Sequence, residues 1–198
     1  MNGVFQVTSG KVHITDPCYD IETSESYGMY NVTAQNGEWA GVAEIENDGV
    51  WGQRVKSAIV YHRDYTHCYN AFMKPAPIKF AVDSGQIGVF DVSIYVKDNA
   101  DEYDFKNPTT FYEHAAHATL ETPFLSDSVM DAGFCTSTGY GDGCYCAELG
   151  YDGGELIAVR FFFIEEDEED EMFPEDEEDE ELRIVFEDEE DRALVWNT

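Results

Sequence analysis

Hydrophobic and polar positions alternate along much of the first 95 residues, with the period of two that predicts half-buried β-strands. Residues 4–7 and 11–15 show this alternation, and Ser9-Gly10 between them has the composition of a tight turn. Two short alternating runs around such a pair usually return antiparallel to each other. This stretch therefore predicts a hairpin or a bulged turn.

The strongest hairpin signal is Asn36-Gly37, which lies between the alternating runs 29–35 and 38–45. Asn-Gly supplies the two positive-φ positions that a type I′ turn requires, so these runs predict a second hairpin. Further strands are predicted by β-branched and aromatic runs at residues 54–62, 78–82, 86–95, 143–149 and 155–164, with turn signals at Asp48-Gly49 and at residues 152–154.

One segment, residues 108–120, has the signals of a helix. Asn107 is a suitable N-cap, Pro108 fits the first helical turn, and Pro123 is expected to end the helix. Together the patterns predict an α+β fold that is mainly β, in which an antiparallel sheet system is accompanied by one substantial helix.

An internal repeat relates two of the predicted hairpins. Residues 7–16 match residues 82–91 in the frame V-x-S-G-K/Q-V/I-x-I/V-x-D, at an offset of 75 residues. Each copy places an aspartate, Asp16 or Asp91, at the end of a strand. Two copies are too few for a solenoid, so they predict an internally repeated hairpin motif that packs about a pseudo-twofold axis.

Acidic charge is concentrated near the end of the sequence. Residues 1–164 hold 23 acidic and 9 basic side chains, a balance of −14, and residues 165–198 hold 19 acidic and 2 basic ones, a balance of −17. The hydrophobic fraction of 43% is sufficient for one buried core. These values predict a mainly-β globular domain over 1–164 and an acidic C-terminal segment over 165–198, either disordered or docked as edge strands.

The acidic runs favour a protein partner with a basic surface. A field of this sign repels nucleic acid phosphates and anionic lipids, so direct nucleic acid binding and membrane attachment are not expected. Short hydrophobic runs interrupt the acids, a pattern typical of segments that order against a partner. The expected interaction surface includes Glu165, Glu166, Asp167, Glu168, Glu169, Asp170, Glu175, Asp176 and Glu177.

The cysteines and the apolar runs point to a cytoplasmic protein. Five cysteines without a secreted-scaffold spacing indicate free thiols in a reducing compartment. The first residues lack the charged and apolar regions of a signal peptide, and no apolar run approaches the roughly 18 residues of a membrane span. The sequence therefore predicts a cytoplasmic protein without membrane segments.

Three motifs in order resemble a family of small bacterial and phage proteins, a domain family of unknown function. The motifs are SG…DPCY at residues 9–19, VDSGQ…FD at 82–91, and GYGDG-x-Y at 139–145, and the resemblance covers about residues 5–164. It implies relatives in bacteria and their viruses. It implies no activity, cofactor or catalytic residue.

Asp16, Asp91 and Asp142 are the candidate site acids. Each ends or interrupts a β run beside Pro or Gly, so all three could meet at one rim of the sheet. Converging carboxylates bind a divalent cation or act as a general acid and base. The alternative is that each accepts a backbone N–H in an Asx turn, and the spacing matches no known metal fingerprint.

Other candidate sites rest on weaker patterns. Gly139, Gly141 and Gly143 form either a loop whose amides cradle a phosphate or a tight positive-φ turn. Cys144 and Cys146 share one strand face and could hold zinc with Cys135, Cys18 or a histidine, but C-x-C is an unusual ligand spacing without a clear second pair, which favours small buried thiols. His114 and His117 lie three apart on the predicted helix, which is not the H-E-x-x-H spacing of a zinc protease.

These observations leave functions of different classes open. The leading hypothesis is a non-enzymatic acidic interaction protein of bacterial or phage origin that binds a basic protein, such as a nucleic-acid-binding or defence protein, in the manner of a DNA mimic. One alternative is a small metal- or carboxylate-dependent hydrolase, or a ligand-binding module, built on Asp16, Asp91 and Asp142. Another is an immunity-type protein that neutralises a basic toxin. No cofactor is implied beyond a divalent cation in the hydrolase case.

Overall fold

A computed structural model of the chain describes residues 3–20, 30–65, 78–95, 102–120 and 125–164. Eleven strands and one α-helix lie in these ranges, so the prediction of a mainly-β α+β fold is confirmed. The strands are β1 Gly3–Val7, β2 Lys11–Thr15, β3 Tyr30–Thr33, β4 Gly37–Asn47, β5 Gln53–His62, β6 Ile78–Val82, β7 Gln86–Asp91, β8 Ser126–Val129, β9 Gly133–Ser137, β10 Gly143–Asp152 and β11 Glu155–Phe162. The helix α1 is Phe111–Leu120.

Two antiparallel sheets and the helix form three layers. The six-stranded sheet has the order β1-β4-β5-β11-β10-β6, and the five-stranded sheet has the order β3-β2-β7-β9-β8. The main core lies between the sheets, where Trp39, Phe134 and Phe161 are fully buried. A second, smaller core between the five-stranded sheet and α1 contains Phe90 and Phe111. Burial of these large side chains is the main source of stability for the stack.

The hairpins predicted at Ser9-Gly10, Asn36-Gly37 and Ser84-Gly85 are wrong. In each case the two strands beside the turn belong to different sheets: β1 pairs with β4, whereas β2 pairs with β3 and β7. The same holds for β3 and β4, and for β6 and β7. Alternation identifies a strand and its buried face, but it carries no information on the partner strand. All three turns are therefore arches that cross from one sheet to the other.

Two predicted turns do join paired neighbours. The segment around Asp48-Gly49 connects β4 to β5 through a short 3-10 helix, Gly49–Trp51. Residues 152–154 connect β10 to β11, as the sequence predicts. Both turns leave and re-enter the same sheet, so they add paired strands to the six-stranded layer.

The helix begins three residues later than predicted, at Phe111. A capping box explains the start: the Thr110 hydroxyl accepts the Glu113 N–H at 3.3 Å, and the Glu113 carboxylate accepts the N–H groups of Asp104, Thr109 and Thr110. These backbone hydrogen bonds lower the pKa of Glu113 to about 2. Asn107 therefore does not cap the helix, and the predicted stop at Pro123 lies outside the described residues.

The sequence predicts a boundary between a globular domain and an acidic segment at residue 164, which is also where the described part of the chain ends. Backbone contacts group Met1–Glu165 into one compact unit. The acidic segment, including every residue of the predicted interaction surface, lies outside the described ranges. No helix in the part of the chain that the structure describes is long and apolar enough to cross a membrane.

Candidate functional site

Asp16 holds the turn of the second repeat copy. The chain leaves β2 at Thr15, and Asp16 is fully buried just beyond it. One carboxylate oxygen accepts the N–H groups of Asp83 and Ser84, both at 2.9 Å, and the other accepts the Ser84 hydroxyl at 2.6 Å and the Cys18 N–H at 2.9 Å. All of the strong acceptor capacity of Asp16 is therefore directed at protein groups.

Asp91 holds the turn of the first copy in the same way. Its Oδ2 accepts the N–H and hydroxyl groups of Thr8 and the N–H of Ser9, and its Oδ1 accepts the Ser93 N–H at 2.8 Å. Burial raises the pKa of Asp91, but hydrogen bonds from Ser9, Thr8 and Ser93 outweigh it, so the pKa lies well below its usual value. Asp91 is thus a buried, ionised structural group.

The two aspartates are exchanged between the copies. Asp16 closes the turn at Ser84, and Asp91 closes the turn at Ser9. The pairing of β2 with β7 has matching symmetry, because its register is centred on Ile14 opposite Val89, which are equivalent positions of the repeat frame. The carboxylates of Asp16 and Asp91 therefore serve separate turns and do not meet in one site.

Acid should weaken the fold partly through Asp91. Since its pKa in the folded state is below the unfolded value, its stabilising contribution is fully present above about pH 4 and is lost as the pH falls through the folded pKa. We expect the melting temperature difference between the wild type and Asp91→Asn to shrink from about pH 5 to about pH 2.5, measured by circular dichroism. Other acids titrate in both proteins alike. A melting temperature difference that stays constant over this pH range would therefore contradict the assignment.

Asp142, the third predicted site acid, is exposed. Gly143 at the start of β10 pairs with Val82 at the end of β6, so Asp142 and Asp83 lie beside the same end of this strand pair. A methyl group placed on Gly85 would lie 3.8 Å from an Asp142 carboxylate oxygen. Asp142 therefore lies near the turn that Asp16 closes, whereas Asp91 belongs to the opposite turn. Within the described ranges, no group of three or more His, Cys, Asp or Glu side chains is arranged to hold a metal ion.

The glycine-rich loop is a tight turn that crosses between the sheets, from β9 to β10. Gly139 and Gly141 have positive φ angles of 30° and 103°, and the Gly141 N–H donates to the Thr138 carbonyl at 2.6 Å. The Thr138 hydroxyl and the Tyr145 hydroxyl both donate to the Gly141 carbonyl, each at 2.7 Å. Gly143 already belongs to β10. The loop is therefore held by its own hydrogen bonds.

Two of the three motif loops line one cleft. The Thr138 N–H donates to the Gly85 carbonyl at 2.9 Å, which ties the glycine-rich loop to the second S-G turn. Beside this contact is a cleft of about 290 Å³, close to the lower end of the range for small-molecule sites. Its described lining comprises Arg54, Ser84, Gly85, Gln86, Thr119, Leu120, Leu125, Ser137, Thr138, Gly139, Tyr140 and Gly141.

Three polar residues of this cleft were not expected from the sequence: Arg54, Gln86 and Thr119. Gln86 is buried, and its side-chain nitrogen donates to the Thr119 hydroxyl. Within the described ranges, the Gln86 side-chain oxygen and the Arg54 Nε atom are buried without a hydrogen-bond partner. One signal was available for Gln86, since it occupies the repeat position that Lys11 has in the first copy.

The cysteine and histidine candidates do not come together. Cys144 is exposed and Cys146 is half-buried, while Cys135 lies in the second core, where burial raises the pKa of its thiol. His114 and His117 are half-buried on α1, and His117 contacts the Phe105 carbonyl at 3.1 Å. Burial thus explains Cys135 but not the exposed Cys144, so the expectation of a buried thiol is wrong at Cys144. Within the described ranges none of these cysteines and histidines belongs to a group of three or more potential metal ligands.

No family model matches the chain, and neither a curated protein nor a solved structure matches it. The resemblance of the three motifs to a bacterial and phage family therefore stays a prediction.

Proposed function

We propose that the protein is a non-enzymatic acidic interaction protein, of bacterial or phage origin, that binds a basic protein surface. One observation carries the proposal: residues 165–198 hold 19 acidic and 2 basic side chains. A charge density of this size attracts lysine- and arginine-rich surfaces over distances comparable to the Debye length, about 8 Å at physiological salt.

The surface of the described domain has the same sign. Three of its basic side chains are already paired with acids, in Arg63–Glu38, Lys56–Glu46 and Arg160–Glu148. Exposed carboxylates outnumber exposed basic groups in the described ranges. The exposed acids are Glu44, Asp64, Asp83, Glu102, Asp104, Asp131, Asp142, Asp152 and Glu155, against Lys11, Arg63, Lys79 and Lys106. Domain and acidic segment would therefore attract the same class of partner.

The aspartates that a hydrolase would need have structural partners instead. Asp16 and Asp91 are buried and accept hydrogen bonds from two separate turns. A general base has to reach a substrate proton, and a metal ligand needs a free lone pair facing the ion. These bonds support an interaction role over a carboxylate-dependent reaction. A partner that normally contacts phosphates, such as a nucleic-acid-binding or defence protein, fits the arrangement best, because carboxylates can take the place of phosphates.

Neutralising the acidic segment should slow association with the partner. The partner is first captured with the full chain and identified by mass spectrometry, and then purified. In the variant, the acids of residues 165–171 and 175–181 are replaced by Gln and Asn at unchanged length. We expect its association rate constant, measured by surface plasmon resonance, to fall by a factor on the order of 10 to 1,000 at low salt. The wild-type rate should fall steeply between about 50 and 200 mM salt, as screening by ions requires.

A scrambled segment is the matched control. It keeps the composition and charge of residues 165–198 but changes their order. Steering by charge predicts nearly wild-type association for the scrambled chain. Salt-insensitive capture that survives neutralisation would remove the acidic segment from the mechanism and overturn the proposal.

A further inference from the structure

Two residues that line the cleft beside the glycine-rich loop each have a buried polar atom without a described hydrogen-bond partner, one an acceptor and one a donor. Gln86 is only 6% exposed, and its Oε1 atom has no hydrogen-bond partner in the described part of the chain. The Nε–H of Arg54 is likewise buried without a partner. Buried polar groups of folded proteins are nearly always paired, so each exception calls for a physical explanation. Here both exceptions belong to residues that line the same cleft.

The orientation of the Gln86 amide is determined by its neighbours. The Thr119 hydroxyl donates its proton to the Ala116 carbonyl at 3.0 Å, so towards Gln86 the Thr119 oxygen can only accept. With this bond in place, Gln86 presents its NH₂ group to Thr119. A flipped amide would require the Thr119 hydroxyl to turn its proton away from the Ala116 carbonyl and towards Gln86. The unpartnered atom is consequently the Gln86 oxygen, which needs an N–H or O–H donor.

Arg54 differs from the other arginines of the described domain. Arg63 pairs with Glu38 and Arg160 pairs with Glu148, whereas Arg54 forms no ion pair with any described residue. Among the described residues, its one side-chain hydrogen bond runs to the neighbouring Gln53 carbonyl, at 3.3 Å. An arginine without a carboxylate partner is unexpected in a chain of net charge −31. Its guanidinium remains available for an acceptor in the cleft.

We propose that this cleft binds a small polar molecule that carries both a carbonyl or carboxylate oxygen and an N–H donor. Primary carboxamides and α-amino acids share this chemistry. The oxygen accepts from Arg54, and the N–H donates to Gln86. Leu120 and Leu125 provide an apolar wall for a short aliphatic part. The named residues of the site all belong to the described domain, so this proposal is tested separately from the proposed protein interaction.

The surrounding turns explain why the cleft stays open. Gly141 has a φ of 103°, which disfavours a side chain, and no atom lies within 4 Å of the place that its Cβ would take. Hydrogen bonds from Thr138 and Tyr145 hold the Gly141 carbonyl in place. The loop is thus preorganised, which lowers the entropy cost of binding.

Four probes test the proposal on the full chain: propionamide, L-alanine, propionate and propylamine. The first two offer both an acceptor and a donor, propionate offers only the acceptor, and propylamine offers only the donor. In nitrogen-15 NMR titrations we expect propionamide or L-alanine to shift the amide signals of residues 84–86 and 137–141. Propionate and propylamine should bind at least about tenfold more weakly, since each leaves one cleft group unpaired. A preference between the first two probes distinguishes the amide from the amino acid.

Variants at the two polar groups complete the test. Gln86→Met and Arg54→Met should each weaken the preferred probe about tenfold or more, and Arg54→Lys should weaken it while retaining the charge. Arg63→Met, outside the cleft, is the matched control and should bind like the wild type. If Gln86→Met does not fold, Arg54→Lys still decides the question, because Arg54 is only half-buried. Absence of shifts with all four probes, or wild-type affinity in both Arg54 variants, would overturn the proposal.

Discussion

Replacing Asp16 by Asn is expected to lower the free energy of unfolding by about 3 kcal/mol, since one of its two buried acceptor oxygens is replaced by a donor. Two backbone N–H groups face one carboxylate oxygen, and a hydroxyl and a third N–H face the other. Whichever way the Asn side chain is turned, its NH₂ group meets donors. A loss of this size is a large part of the 5 to 15 kcal/mol that is typical of a domain. The loss of unfolding free energy is measured by chemical denaturation, with tryptophan fluorescence as the signal.

Asp64→Asn is the matched control for this substitution. The Asp64 side chain is 84% exposed, so the same chemical change there should alter stability by less than about 0.5 kcal/mol. Asp91→Asn should resemble Asp16→Asn, because it removes the equivalent bonds from the other turn. If Asp16→Asn were as stable as the control, the exchanged aspartates would not be what holds the two arches, and Asp16 would again be free for a functional role.

A methyl group at Gly41 is expected to destabilise the domain by about 2 to 3 kcal/mol, through overpacking. Gly41 lies on β4 and faces the main core, where its Cβ would fall well under 3.0 Å from three ring carbons of Phe134. Phe134 is fully buried between the sheets and has little room to move. Gly41→Ala therefore forces the two sheets apart locally. The free energy of unfolding, from the same denaturation experiment, tests this.

A double variant separates ring overlap from a general intolerance of β4. In Gly41→Ala combined with Phe134→Leu, the smaller side chain makes room for the methyl group. The double variant should therefore lose less unfolding free energy than the sum of the losses in the two single variants. Gly143→Ala is the matched strand control, because its nearest atom would be the Tyr145 hydroxyl at an ordinary 3.5 Å. We expect little or no loss there. Fully additive losses in the double variant would show that the Phe134 ring is not the obstacle.

The proposed role of the acidic segment and the proposed role of the cleft lead to separate experimental predictions. The first concerns charge and a protein partner, and its loss should leave probe binding in the cleft unchanged. The second concerns two polar groups inside the domain, and Arg54→Lys should leave steering by the acidic segment unchanged. Partner association and probe binding can both be measured on the same variants. If each is changed by its own variants alone, the protein binds a partner and a small ligand separately.

Most strand positions could be predicted from the sequence, with β8 and β9 as the exceptions, whereas strand partners could not. The period-two alternation located β1, β2 and β5 closely, because the burial of one face is written into each strand separately. Ser9-Gly10 and Asn36-Gly37 have the composition of hairpin turns, yet both connect different sheets. Their geometry depends on distant groups: Asp91 binds the first turn, and the Asn36 side chain accepts the Gly10 N–H at 2.7 Å. Contacts across 82 and 26 residues have no local signature.

The sequence by itself determined the fold class, nine of the eleven described strands and the helix to within a few residues, the acidic charge of the C-terminal segment, and the equivalence of Asp16 and Asp91 in the repeat frame. It did not predict β8 and β9, which are short strands without a clear alternating pattern. These properties follow from local periodicity, composition and internal similarity. Only the tertiary structure decided that the two aspartates close each other's turns, and that Arg54 and Gln86 line one cleft. Residues 32 positions apart become neighbours there because two sheets stack, and stacking depends on how the whole core packs.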